Sequence, residues 1–224
     1  MAGTRNFSGA LAIGVGLSAT GTVSITGGQL AVTNRNVILG SYGVGQMSVS
    51  NGALLAQTVI VGNSHGSQGA ITIGAVTVAV TNQSQTGQIV VGQQGNGLLV
   101  QGGGLLTLDR LTIAAGCASN LISGSTTNVL GYASIGQVTL SNGVLLSRTV
   151  QVGIGTNSQG TLTIAGGSAS ISSNIVAGVM MNATGVIQVT GGTLDVTNQS
   201  GTAQLVVGQL GRGIFAQSGG TLTV

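Results

Sequence analysis

The chain has 224 residues, of which 42 are glycine and none is proline or tryptophan, and its few charged groups leave a net charge of +3. It is too apolar for a disordered chain, its basic groups (Arg5, Arg35, Arg110, Arg148, Arg212) are too scattered for a nucleic-acid stripe, and no apolar run reaches the ~20 residues of a membrane span. Cys117 is the single cysteine, so an intrachain disulfide is excluded; it reads as a small apolar residue, with an intermolecular bridge as the alternative.

At the N-terminus, Arg5 followed by Phe7 to Ala19 loosely mimics a secretory signal. Leu11-Ala12-Ile13-Gly14, however, matches a strand pattern that recurs down the whole chain. That recurrence is the dominant feature. Aligning at Gly21, Gly45, Gly69, Gly97, Gly136, Gly160, Gly185 and Gly213 gives segments of one design, spaced by 24, 24, 28, 39, 24, 25 and 28 residues.

Each segment contains three short strands. The first alternates, as in Thr22-Val23-Ser24-Ile25, so a period of two places Val23 and Ile25 on one face. A Gly-Gly or Asn-Gly pair then marks a corner, as at Gly27-Gly28, Asn51-Gly52 and Gly191-Gly192, because these residues accept positive φ at low cost. The second strand carries an aliphatic column: Leu30 and Val32, Leu54 and Ala56, Val78 and Val80, Leu106 and Leu108, Leu145 and Ser147, Leu194 and Val196. The third ends on glycine, as in Val37-Ile38-Leu39-Gly40, Val59-Ile60-Val61-Gly62 and Ile89-Val90-Val91-Gly92.

Three strands and three corners in about 24 residues predict one turn of a triangular parallel β-helix, its rungs stacked ~4.8 Å apart. The expected fold class is therefore all-β, a single-stranded parallel β-solenoid of about eight rungs standing ~38 Å tall. Residues 1–224 form one domain, with 1–20 a partial first rung, 116–135 an insertion bulging from the long fourth rung, and 213–224 a partial last rung. Asn-Gly pairs are also hairpin signals, which keeps an antiparallel sandwich or barrel as the alternative. Hexapeptide helices, collagen and calcium-binding nonapeptide repeats do not match the period or composition. A second tier of duplication, Val80 to Gly97 against Val196 to Gly213, points to copying of whole rungs.

Segments such as Gly160-Thr161-Leu162-Thr163-Ile164 and Gly191-Gly192-Thr193-Leu194-Asp195-Val196 resemble the autotransporter-associated β-strand repeats of secreted bacterial surface proteins. The likeness covers nearly the whole chain. It implies a right-handed helix displayed outside the cell, although the outer-membrane barrel of autotransporters has no counterpart here.

The two ends supply the functional expectation. The chain stops after two strands of its last segment and starts with a third-strand signature at Leu11 to Gly14, so the two fragments read as parts of one rung. Solenoids normally carry polar caps and blunted edges. Open edges bearing Leu11, Ile13, Phe215, Gln217, Leu222 and Val224 would allow a head-to-tail contact between copies, which propagates as a filament. A piece of a longer β-helix would show the same ends.

Catalysis is not expected. There is no glutamate, Asp109 and Asp195 belong to different rungs, and His65 stands alone in the polar turn Asn63-Ser64-His65-Gly66; no catalytic, metal or cofactor residue is assigned. Asn6, Asn82, Asn182 and Asn198 begin glycosylation sequons that a chain this rich in Asn, Ser and Thr meets by chance. Outward rows such as Thr161 and Thr163 invite an ice-binding reading, but the array is irregular. Gln101 and Gln217 fall on inward positions and need partners, through a register shift or through corner backbone. The leading expectation is a self-assembling extracellular or cell-surface filament subunit, with lateral contacts to other filaments or to polysaccharide. A β-helical stalk or adhesin module, binding through the insertion near Cys117, is the alternative.

Overall fold

The structure, a computed structural model, describes residues 3–82, 84–116 and 134–224. The 116–135 insertion, Cys117 included, therefore falls almost wholly outside the described residues. Strand pairing is parallel throughout, in the stacked rungs of a β-solenoid, and no hairpin pairing occurs among the described residues. No helix is present among them, hence none long and apolar enough to cross a membrane.

Three columns of strands result. The first is an eight-stranded sheet: Thr20–Ile25, Val44–Val49, Gln68–Ile73, Asn96–Gln101, Ile135–Leu140, Gln159–Ile164, Thr184–Val189 and Arg212–Gln217. The other two share one sheet, because Gln29–Leu39, Ala53–Val61, Leu105–Ile113 and Val144–Val152 each run through both columns as a single bent strand. The second column is completed by Thr4–Asn6, Thr77–Val80, Ser168–Ile171, Thr193–Val196 and Thr221–Thr223, and the third by Leu11–Ile13, Gln88–Val91, Asn174–Ala177 and Gln204–Val207. Of the three corners expected from sequence, the one between the second and third columns is thus a bend in those four rungs. In the first of them the register slips between Val32 and Asn36.

Period-two alternation produces the core directly. Val23, Met47, Ile71, Leu99, Val138, Leu162, Ile187 and Phe215 stack in register along the first column. Matching ladders, Leu54 over Leu30 and Leu106 over Val78 among them, face it from the second column. Fully burying each such side chain contributes about 1.5–3 kcal/mol.

Two kinds of glycine make the rungs close. Gly62, which ends a third strand, has φ 75°, a conformation that L side chains adopt only with strain. Gly69, one of the alignment glycines, is not at positive φ; a Cβ there would collide with the backbone of Gly62 and Leu39. The recurrence that reveals the repeat therefore reflects close approach of backbones at the corner between the third and first columns.

Candidate functional site

The end of the coil nearest the N-terminus is formed by Thr4–Asn6, Leu11–Ile13 and Thr20–Ile25. Leu11 and Val23 are half-buried against the core, and Ile13 is buried. Thr4–Asn6 is a strand that the sequence reading did not anticipate. It pairs with Gln29–Ala31 and sets Arg5 opposite Leu30, on the inward position of the second column. Arg5, Phe7, Leu11, Val23 and Leu30 line a hollow of about 290 Å³ at this end.

The opposite end is formed by Gln204–Val207, Arg212–Gln217 and Thr221–Thr223. Leu205, Phe215 and Leu222 are half-buried against the core. Their registers with Ile175, Ile187 and Leu194 continue the interior ladders. Gln217 is exposed and donates Nε2 to the Gly220 carbonyl at 3.1 Å, while Val224 follows the last strand and is 62% exposed. The structure thus places Leu11 and Ile13 at one end, and Phe215, Gln217, Leu222 and Val224 at the other.

Both ends also carry exposed apolar side chains on the corner between the third and first columns. Leu17 (83% exposed) and Tyr42 (54%) mark it at one end, Met181 (69%) and Leu210 (70%) at the other. In the middle rungs the same corner holds Asn63-Ser64-His65, Gln93-Gln94 and Thr156-Asn157. These residues escaped the strand-based reading, although a comparison of corner sequences would have found them. A further apolar feature lies on the third column: Ile60 and Val90 are buried, yet by alternation they point away from the interior and are no part of its cluster.

The two inward glutamines keep their register. Gln101 is buried and donates Nε2 to Val144 O at 3.0 Å and to Gly103 O and Gly104 O at 3.4 Å, so corner backbone satisfies it. Gln217 repeats the last of these contacts, to Gly220.

On the outer side of the first column, Ser48 donates its hydroxyl to Ser24 Oγ at 3.0 Å and Thr163 to Gln188 Oε1 at 3.4 Å. Ala70 lies in a groove of about 370 Å³ whose lining includes Gln46, Asn96, Leu98 and Gln137. Elsewhere, Asp109 Oδ2 accepts the Gly87 N–H at 2.8 Å, while Asp195 lies in the second column three rungs further on, opposite Ser170 and Thr223. Among the described residues no three His, Cys, Asp or Glu side chains come together as a metal site would require. The sequon asparagines Asn82 and Asn198 close their own loops, donating to Thr86 Oγ1 (2.8 Å) and Thr202 Oγ1 (3.0 Å).

The fold is a parallel β-solenoid whose third- and first-column ladders include Leu11 and Val23 towards one end and Leu205 and Phe215 towards the other. No family model, curated protein or solved structure matches the chain.

Proposed function

We propose that this chain is a structural rod that joins copies of itself end to end, building a filament outside the cell, and that it has no catalytic role. The observation that carries the reading is the match between the ends. Leu11 and Val23 at one end, and Leu205 and Phe215 at the other, are half-buried members of the same third- and first-column ladders. Stacking one copy on another places Thr20–Ile25 over Arg212–Gln217 and Leu11–Ile13 over Gln204–Val207, with a repeat of eight rungs, ~38 Å. The same step brings Leu17 and Tyr42 of one copy into line with Met181 and Leu210 of the next, joining two exposed patches into one continuous apolar strip. A head-to-tail contact of this kind propagates. The likeness to autotransporter-associated repeats supports display at the cell surface.

Electron microscopy with light scattering on the purified chain tests the reading. Unbranched threads with a ~38 Å axial repeat are expected, and Leu17→Asp or Leu210→Asp should abolish them while leaving the strand signal in circular dichroism. Discrete short rods that stay monomeric at every concentration would overturn it.

The groove around Ala70 favours a second reading, a stalk or adhesin module. Its amides from Gln46, Asn96 and Gln137 beside Leu98 have the mixed character that polysaccharide recognition uses. Glycan-array binding lost in Ala70→Trp, by a chain that forms no threads, would favour this alternative.

A further inference from the structure

We infer that Thr4–Asn6 is a displaceable cap, exchanged for Thr221–Thr223 of another copy when two chains join. The inference rests on the end-to-end reading above and deepens it. Among the described residues, the second column contains nine strands, whereas the first and third contain eight each. Two copies cannot stack with all three columns continuous, because the second column then holds one strand too many. If both end strands stayed in place, the first and third columns would face each other across two rung spacings, ~9.6 Å, too far for backbone hydrogen bonds.

The surplus strands are equivalents. Gly3-Thr4-Arg5-Asn6 and Gly220-Thr221-Leu222-Thr223 share a Gly-Thr start, and both lie in the second column. Gly3 O accepts the Gln29 N–H at 3.1 Å, as Gly28 O accepts that of Ala53 at 2.9 Å on the next rung. The strands differ at the inward position: Arg5 lies opposite Leu30, whereas Leu222 lies opposite Leu194. All three residues of Thr4–Asn6 are exposed. A cation on an aliphatic column must stay hydrated, so the strand that carries it closes the edge to further rungs. Leu222 of another copy restores an aliphatic contact to Leu30 and lets the neighbouring columns meet. In the isolated chain the cap shields this edge. During assembly it yields the edge to a strand that fits better.

The test uses the full chain with Cys117→Ser, comparing it with the same chain carrying Thr4→Cys and Gln29→Cys, whose Cα atoms are register partners at ~4.8 Å, within disulfide reach. Oxidation should hold the locked chain as single rods, and reduction should restore threads. Arg5→Leu should slow assembly at least tenfold, because leucine tightens the cap on Leu30; if end hydrophobicity alone drove joining, this variant would assemble faster. A fluorescent peptide of residues 218–224, which carries Thr221–Thr223 without the first-column strand, serves as a probe independent of threads and should bind the reduced chain but not the oxidised one. Threads from oxidised and reduced chains alike would sink the cap and leave the filament standing. Peptide binding gated by the disulfide, without threads under any condition, would keep the cap and sink the filament. Neither threads nor peptide binding would overturn both.

Discussion

Gln101 donates its amide to the carbonyl of Val144, 43 residues later in sequence and one rung higher, at 3.0 Å. The contact is what allows an amide into an aliphatic column. The equivalent positions above and below, Leu140 and Ile73, hold aliphatic side chains whose rungs close without such a donor. Gln101→Leu is therefore expected to change stability by less than ~1 kcal/mol, since both the polar group and its need for partners disappear. Gln101→Glu should cost roughly 3 kcal/mol at neutral pH, because a carboxylate facing backbone carbonyls has no donor. Urea denaturation of the two variants checks the contrast.

Asp109 joins two rungs through Gly87. Its Oδ2 accepts the Gly87 N–H at 2.8 Å where the chain enters a third-column strand. Asp109→Ala leaves that part-buried donor unpaired and should cost about 1–2 kcal/mol, whereas Asp109→Asn retains an acceptor and should cost less than half as much. Hydrogen exchange at the Gly87 amide, faster in the alanine variant alone, is the local readout.

Gly62 and Gly66 separate crowding from backbone conformation. Their φ angles are nearly equal, 75° and 79°. A Cβ on Gly62 would strike the Asn96 carbonyl, whereas one on Gly66 meets nothing within 4 Å. Gly66→Ala should therefore cost only the left-handed strain, about 1–2 kcal/mol. Gly62→Ala should cost clearly more, to the point of loss of soluble protein, and expression together with thermal midpoints distinguishes the pair.

Leu106 and Leu222 test the state of the ends. Leu106 is 1% exposed in the interior, so Leu106→Ala should cost about 2–5 kcal/mol. Leu222 is half-buried in the last strand, and Leu222→Ala should cost less than ~1 kcal/mol in the isolated chain. The filament reading adds that Leu222→Ala raises the concentration needed for assembly several-fold, measured by light scattering across a dilution series.

Much of the architecture was legible in the residues. The spacing of the alignment glycines, the alternation in Thr22-Val23-Ser24-Ile25 and the aliphatic pairs from Leu30 and Val32 to Leu194 and Val196 are local signals that the rungs repeat, and parallel stacking follows from them. Three strands per rung predict a turned corner between the second and third columns, whereas Ala53–Val61 runs through Gln57 and Thr58 as one strand. Thr4–Asn6 was missed because Arg5 occupies a position where every other strand suggested an aliphatic residue. Leu11, Ile13, Phe215 and Leu222 lie on strands and follow the alternation, whereas the apolar corner at Leu17, Tyr42, Met181 and Leu210 lies in turns, where strand periodicity carries no signal.

The period, the inward and outward faces of each strand and the aliphatic character of the core follow from the residues alone, because side-chain alternation and glycine tolerance act over a few residues. Which strands share an edge is set by the coiling: that Gln101 reaches Val144, that Arg5 lies opposite Leu30, and that, among the described residues, the second column holds one strand more than its neighbours. Such relations depend on how many rungs stack and on the column in which each end strand lies. They arise between residues brought together by coiling, across separations that no local pattern records.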